Sequence, residues 1–338
     1  MPRLAQMMDF LHQYINQSFW VESLPGDASF RRYHRIHLAD NTTHLLMDAP
    51  PEKESVVEFV HVDEIMKSAI NVPKIFAKDI EQGFLLLQDF GTVEFAHLIT
   101  DDKTNKDNYY TNALKSLIDL QNIGIDVDLP LYDEQKLNQE MDLFIDWFLP
   151  YIKIQFNEQE LNLWKNLKNQ LIDNIQNQPK VIVHRDYHSR NLMQDNSIKN
   201  STQNNSLGII DFQDAVIGAY TYDLVSLVRD AYIDENEDWV NQKIQEFYHL
   251  KSLNIGIEKF TEQTNVMGIQ RHLKVLGIFI RLYQRDGKNR YLANIPKVMN
   301  DLLQELIWLN KYSNHEIYGN FLDLLNKKVI PAYQLYFK

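Results

Sequence analysis

The chain changes its apolar periodicity near residue 90, and this change most constrains its fold. Before that point, short apolar runs alternate with polar residues and end at turn signals such as Asp40-Asn41 and Pro50-Pro51, which is typical of β-strands. After Gly91, apolar residues recur three and four positions apart, as they do in amphipathic helices. The sequence therefore predicts an α+β chain in which a sheet comes first and helices follow.

The predicted sheet is mostly antiparallel and carries one helix. Its five strands are predicted at residues 19–24, 30–38, 43–47, 74–77 and 84–87, and its helix at 53–70. Later helices are predicted at 108–121, 137–149, 158–175, 221–232, 238–248, 261–286, 295–310 and 318–329, and Pro150 should end or kink the second of these. We expect two lobes, residues 1–89 and 90–338, with a ligand between them.

Composition excludes several classes of function. The chain has no cysteine, which removes disulfide scaffolds, zinc–thiolate sites and thiol nucleophiles. Its 34 Lys+Arg against 46 Asp+Glu give a formal net charge of −12, which disfavours binding to nucleic acid or to an anionic membrane. No apolar run approaches the ~20 residues that span a bilayer. We expect a cytoplasmic protein with a small-molecule partner, and the sequence leaves its oligomeric state open.

Two short apolar runs, 180–183 and 207–210, interrupt the helical part and read as isolated strands. Each is followed at once by polar residues: HRDYHSRN at 184–191 and DFQD at 211–214. The polar segment 195–206 between them predicts a long hairpin loop. Phosphoryl transfer needs a carboxylate that orients and deprotonates the attacking hydroxyl, and oxygen ligands that hold Mg²⁺ against the phosphates. Asp186 suits the first role, and Asn191 and Asp211 suit the second.

The pattern His-x-Asp-x-x-x-x-Asn at 184–191, followed by Asp211 at the end of a strand, resembles the catalytic and metal-binding loops of the kinase fold. His188, two positions after the aspartate, makes the chain more similar to the aminoglycoside phosphotransferase and small-molecule kinase family than to protein kinases. This resemblance covers nearly the whole chain. It implies a bilobal protein-kinase-like fold, ATP and Mg²⁺ as cofactors, Asp186 as the base, and Asn191 and Asp211 as metal ligands.

Further segments resemble one branch of that family, the bacterial N-acetylmuramate/N-acetylglucosamine anomeric kinases of cell-wall recycling; they lie at 27–33, 47–52, 211–215, 221–224 and 281–288. The resemblance implies transfer of the ATP γ-phosphoryl group to the anomeric hydroxyl, with a sugar 1-phosphate as product. Another acceptor, such as an aminoglycoside, choline or homoserine, stays open. A non-catalytic nucleotide-binding pseudokinase also stays open, because the third strand has Leu46-Met47-Asp48 where the broad kinase pattern has a lysine.

The resemblance also implies where the nucleotide binds. Residues 26–29 lie between the first two strands, where kinases place the loop that covers the phosphates; Gly26, Asp27 and Ser29 are its candidate contacts. Arg31 and Arg32 follow this loop and are candidates for the missing phosphate-binding cation, with weak surface ion pairs as the alternative. Gln88 lies in the segment that joins the lobes, where the kinase fold binds adenine through its backbone.

The remaining candidates lie after residue 180. His188 and Arg190 are placed by the motif near the transferring phosphoryl group, with solvent exposure as the alternative. Asp214 is a candidate second metal-side or substrate residue.

Arg229 and Arg281 are candidates for the sugar site, because an arginine suits the lactyl carboxylate of N-acetylmuramate; a helix-surface ion pair is the alternative for each. Asp223 is predicted either to brace the 184–191 loop or to cap a helix.

Overall fold

The computed structural model describes residues 2–25, 30–196 and 207–337. The chain divides into two compact units, Met1–Ile123 with Arg190–Ala215, and Gly124–Ser189 with Val216–Lys338, and each is described by itself. The predicted division into a nucleotide lobe at 1–89 and a substrate lobe at 90–338 is a functional one, and it stays a prediction.

The first unit is built on an antiparallel sheet, as predicted, with five strands in the order β1-β2-β3-β5-β4. The strands are β1 (Phe19–Ser23), β2 (Arg32–Leu38), β3 (Thr43–Asp48), β4 (Ile75–Asp79) and β5 (Phe84–Gln88). In β2 the buried residues Ile36 and Leu38 alternate with Arg35 and His37, whereas β5 is buried from Phe84 to Leu87. Ile36, Leu46 and Leu86 lie in the same buried cluster.

Helix α1 (Pro2–Tyr14) buries Met7, Phe10 and Leu11 in the same cluster as Ile36 and Leu46. The sequence did not predict this helix, because polar residues such as His12 and Asn16 break the apolar pattern of the first residues. The first unit also contains α2 (Val57–Met66), α3 (Phe95–Asp101) and α4 (Lys106–Gln121). The helix predicted at 53–70 is therefore shorter than expected.

The second unit begins with α5 (Glu134–Leu143), which continues through a π-helical turn (Phe144–Phe148) into α6 (Leu149–Tyr151). Pro150 lies in the first turn of α6, so the helix widens before the proline and ends one residue after it, as expected of a residue without an N–H. Helix α7 (Glu158–Gln176) starts with a capping box between Asn157 and Glu160, and strand β6 (Lys180–Val183) follows.

The two strands predicted as isolated each have a partner. In the first unit β7 (Leu192–Gln194) pairs antiparallel with β8 (Leu207–Ile209), and in the second unit β6 pairs antiparallel with β9 (Val216–Ala219). The sequence missed β7 and β9 because three or four residues show no periodicity. Residues 197–206 of the predicted hairpin loop lie outside the described residues.

The remaining helices belong to the second unit: α8 (Tyr222–Val228), α9 (Glu237–Leu250), α10 (Ile257–Asp286), α11 (Ile295–Tyr312), α12 (Ile317–Leu324) and α13 (Ile330–Tyr333), with a 3₁₀ turn at Asn289–Asn294 and a π-helical turn at Leu325–Val329. Helix α10 packs against α5, α8 and α11 and is the scaffold of this unit. It ends at Gly287, whose φ of +68° gives the left-handed C-cap that favours glycine. Among the described residues, no helix has both the length and the hydropathy to cross a membrane.

Candidate active site

Asp186 lies in the loop after β6, and helix α8 holds the backbone of this loop. Asp223 accepts hydrogen bonds from the backbone N–H groups of His184 (2.7 Å) and Arg185 (3.0 Å). Arg185 has a φ of +75°, a conformation that an arginine keeps only where its surroundings enforce it. The bracing role predicted for Asp223 is confirmed. Burial raises the pKa of Asp223 to about 7, against these two hydrogen bonds, which lower it.

The charges around Asp186 favour its ionised form. Burial alone would raise the pKa of this carboxyl, but electrostatic interactions with His188, Lys274 and Arg271 outweigh burial and lower the pKa below its ordinary value. An ionised carboxylate is the form that accepts a proton from a hydroxyl. Asp186 therefore has the protonation state of a general base at neutral pH.

Two buried cations of α10 connect to this loop through shared partners. Arg271 donates to the carbonyl of Arg185 (3.2 Å) and to the hydroxyl of Tyr222 (3.0 Å). Lys274 donates to the same hydroxyl (3.0 Å) and lies 3.0 Å from a carboxylate oxygen of Glu140, which also pairs with Arg185 at 2.7 Å. The sequence patterns did not indicate a role for Arg271 or Lys274. The available signal was their three-residue spacing within a mostly apolar stretch.

In the first unit, the hairpin β7–β8 brings the two predicted metal ligands together. Asn191 precedes β7 and Asp211 follows β8, and the Asn191 Nδ2 lies 3.5 Å from Asp211 Oδ2. The backbone N–H of Ile210 donates to the carbonyl of Asn191 at 3.0 Å, and Gln213 donates to Asp211 Oδ1 at 2.9 Å. The pair is thus fixed by strand pairing and by a neighbouring amide.

This donor set fits Mg²⁺. The ion prefers hard oxygen ligands and usually takes one or two from the protein, with phosphate and water oxygens completing the shell. Asn191 and Asp211 offer an amide and a carboxylate oxygen. In the described ranges, no group of three or more His, Cys, Asp or Glu residues could hold a metal ion, so a pair completed by phosphates is the arrangement that the residues allow.

Arg31 belongs to the first unit and is half-buried. It pairs with Glu54 at 3.3 Å, with 12% and 18% of the two side chains exposed, and Glu54 also accepts from the backbone N–H of Phe30 at 3.2 Å. Tyr33 interacts electrostatically with both Asp211 and Arg31. Burial raises the pKa of the Tyr33 hydroxyl, the charge of Asp211 raises it further, and Arg31 opposes both effects. A largely buried guanidinium and the carboxylate of Asp211 therefore both act on the hydroxyl of Tyr33.

The positions of the other candidate nucleotide contacts do not indicate a role in nucleotide binding. Arg32 is exposed and pairs in register with Asp48 on β3. The side chain of Gln88 accepts from the backbone N–H of Lys74 at 3.2 Å. Gly26, Asp27 and Ser29 lie outside the described residues. Their predicted contacts with the nucleotide stay predictions.

His188 and Arg190 are half-buried, and the ring of His188 lies 5.3 Å from that of Tyr232. Within the described residues the Nδ1 of His188 is buried without a hydrogen-bond partner. Asp214 is exposed in the turn after Asp211. None of these positions tests a role in the reaction, so the three assignments stay predictions.

Arg229 and Arg281, the two candidates for the sugar site, differ in their burial and in their charged partners. Arg229 has 2% of its side chain exposed and contacts three carboxylates, those of Glu237 (2.6 Å), Glu305 (3.3 Å) and Asp301 (3.7 Å). Its surroundings favour a structural role, and its predicted contact with substrate stays untested. Arg281 is half-buried on α10, and its Nε is buried without a hydrogen-bond partner in the described ranges.

The two polar loops and the α+β architecture define a kinase-like phosphotransferase. A model of the phosphotransferase enzyme family matches residues 20–253, and the chain belongs to this family. It is similar to a solved aminoglycoside phosphotransferase with bound ADP, with a TM-score of 0.57 and 14% identity over 89% of this chain and 98% of that one. This likeness shows the fold, and it confirms the predicted kinase-like class.

Two curated relatives are more similar in sequence. An N-acetylmuramate/N-acetylglucosamine kinase of Pseudomonas putida is 38% identical over 317 residues, 87% of this chain and 89% of the relative. A kinase of the same name from Neisseria meningitidis serogroup B is 35% identical over 312 residues, 89% and 90% of the two chains. The predicted resemblance to this branch of the family is confirmed.

Proposed function

We propose that the protein is an ATP- and Mg²⁺-dependent kinase that phosphorylates the anomeric hydroxyl of N-acetylmuramate and N-acetylglucosamine, with a sugar 1-phosphate and ADP as products. The observation that carries the phosphotransfer is the pairing of Asn191 with Asp211, five residues along the chain from an aspartate whose pKa is lowered. The acceptor rests on the names of the relatives. Because the reaction consumes ATP, the proposal places the enzyme in the cytoplasm.

Asp186 accepts the proton of the anomeric hydroxyl as its oxygen forms a bond to the γ-phosphorus. The bond from that phosphorus to the bridging β–γ oxygen breaks, and the electron pair leaves with ADP. Asn191 and Asp211 would hold the magnesium ion, whose chemistry when bound is to neutralise charge on the β- and γ-phosphates. The protein contributes mainly positioning and fixed charge, because phosphoryl transfer needs little covalent help.

Arg31 takes the place of the missing lysine in this proposal. Two observations support this assignment: Arg31 pairs with Glu54 at 3.3 Å, and the charges of Arg31 and Asp211 both act on the hydroxyl of Tyr33. A guanidinium binds phosphate oxygens by two parallel hydrogen bonds.

The remaining candidates complete the proposal. The other proposed nucleotide contacts are Gly26, Asp27, Ser29, Arg32 and Gln88. The residues proposed to act near the reacting phosphoryl group and the acceptor are His188, Arg190 and Asp214.

Phosphorus NMR tests the proposal directly. The purified chain is incubated with ATP, Mg²⁺ and one acceptor at a time: each of the two sugars, choline, homoserine and an aminoglycoside. We expect a new phosphate resonance coupled to the anomeric proton with the two sugars, and none with Asp186→Asn over the same time. Phosphorylation at another hydroxyl, or of another acceptor in preference to both sugars, would overturn the assignment of the acceptor. Absence of acceptor-dependent ADP formation would overturn the assignment as a kinase.

A further inference from the structure

Helix α10 carries a row of basic residues, the basic stripe, made of Arg271, Lys274 and Arg281. Because an α-helix turns about 100° per residue, the three residues fall within a sector about 80° wide. The N-terminal end of the stripe lies at the 184–191 loop, since Arg271 donates to the carbonyl of Arg185 at 3.2 Å and the charges of Arg271 and Lys274 act on Asp186.

Arg281 lies seven residues after Lys274 on the same face, about 10.5 Å along the helix axis. Side chains of an α-helix lean toward its N-terminus, which directs residues of this face back toward the turn that carries Lys274. The spacing suits an acceptor whose reacting hydroxyl is at Asp186 and whose anionic substituent is on the other side of the sugar ring.

The charge of Arg281 is poorly compensated within the protein. Its Nε is buried without a hydrogen-bond partner in the described part of the chain. Burial lowers its pKa, the like charge of Arg285 lowers it further, and Asp286 offsets these effects only in part. Arg285 itself pairs with Asp286 at 2.7 Å. In the same unit Arg229 contacts three carboxylates, so an undercompensated cation is a feature of Arg281 and not of every arginine here.

The two proposed sugars differ in one group that an arginine side chain can distinguish. N-acetylmuramate carries a lactyl ether with a carboxylate, and N-acetylglucosamine carries a hydroxyl at the same position. A guanidinium and a carboxylate form two parallel charge-assisted hydrogen bonds. N-acetylmuramate therefore supplies a carboxylate that can compensate the charge of Arg281, and N-acetylglucosamine does not.

We propose that Arg281 binds the lactyl carboxylate of N-acetylmuramate and thereby sets the preference of the enzyme between an acidic and a neutral acceptor. The proposal rests on the function proposed above. It assigns Arg281 to substrate specificity, while Asp186 and the metal ligands act on both sugars alike.

The test is the kinetics of full-length Arg281→Gln with both sugars. We expect the ratio of kcat/KM for N-acetylmuramate to that for N-acetylglucosamine to fall by about 10- to 100-fold, the loss of a hydrogen-bonded charge pair, with most of the change in the KM of the acid sugar. Arg281→Lys keeps the charge without the planar fork and should give an intermediate ratio. Arg285→Gln is the matched control, because that residue is already paired with Asp286, and it should leave the ratio as in the wild type.

The methyl ester of N-acetylmuramate removes the charge from the acceptor instead of the protein. With the wild type its KM should rise toward the value that Arg281→Gln shows for the acid, and the variant should not distinguish acid from ester. An unchanged ratio in Arg281→Gln, including an equal loss with both sugars, would overturn the proposal. If the wild type phosphorylates only N-acetylglucosamine, the specificity proposal is wrong while the kinase assignment holds; if it phosphorylates neither sugar, the proposed function is wrong.

Discussion

Arg229→Met tests whether the arginine at the C-cap of α8 is structural or binds substrate. Two nitrogens of Arg229 donate to the two carboxylate oxygens of Glu237 (2.9 and 2.6 Å), and its Nε lies 3.3 Å from Glu305. Glu305 and Asp301 have only 0% and 4% of their side chains exposed. Removing the guanidinium leaves these two buried carboxylates beside Lys297 and the ring of His272. Burial lowers the pKa of His272 to about 3, so this ring is neutral near neutral pH and does not replace the lost charge.

We expect the free energy of unfolding to fall by about 3–5 kcal/mol, which is the usual cost of removing one partner of a buried ion pair. Burial already raises the pKa of Glu305, and Arg229 opposes this effect. Without the arginine this carboxyl has a still higher pKa in the folded state than in the unfolded state, so the variant gains stability as pH falls. The deficit relative to the wild type should therefore be larger at pH 8 than at pH 6.

Urea unfolding followed by circular dichroism measures this loss, with sugar kinetics on the folded variant as a second readout. Arg285→Met is the control, because its partner Asp286 is exposed, and it should leave the free energy of unfolding close to that of the wild type. A variant that unfolds like the wild type but has a strongly raised KM for the sugar would refute the structural interpretation and would return Arg229 to the sugar site.

Two further substitutions test Asp186 and the charge of Lys274, which acts on it. Asp186→Asn should lower kcat by roughly 10²- to 10⁴-fold, as expected for loss of a general base, and near-normal turnover in a folded variant would contradict that role. Lys274→Met removes one of the charges that lower the pKa of Asp186, so the acid limb of the pH profile of kcat/KM should move to higher pH, whereas Lys274→Arg should leave it near the wild-type position. An acid limb that stays in place in Lys274→Met would show that Lys274 does not act on the base.

Much of the sheet and the loop positions of Asp186, Asn191 and Asp211 could be predicted from the sequence, because their signals are local. Alternating strands, helical periodicity and the 184–191 motif are all properties of neighbouring residues. The hairpin β7–β8 then brings Asn191 and Asp211 together by simple strand pairing. The sequence missed α1 because its buried positions are interrupted by polar residues, and it missed β7 and β9 because they are too short to show a period.

The burial and the charged partners of individual side chains could not be predicted from the sequence in the same way. Arg229 and Arg281 looked equivalent in the sequence. The fold shows that Arg229 contacts three carboxylates, whereas the Nε of Arg281 has no hydrogen-bond partner among the described residues. The same applies to Arg271 and Lys274, since buried cations are rare and must be paired to be stable. Their partners come from residues far away in the chain, such as Glu140 and Tyr222.

The most direct test of the catalytic assignment is calorimetric binding of ATP, with and without Mg²⁺, to the wild type, Asp211→Asn and Asp186→Asn. We expect Mg²⁺ to strengthen ATP binding equally in the wild type and in Asp186→Asn, although the latter is nearly inactive. In Asp211→Asn this effect of Mg²⁺ should be largely lost. An Asp211→Asn protein in which Mg²⁺ strengthens ATP binding as it does in the wild type would contradict the central claim.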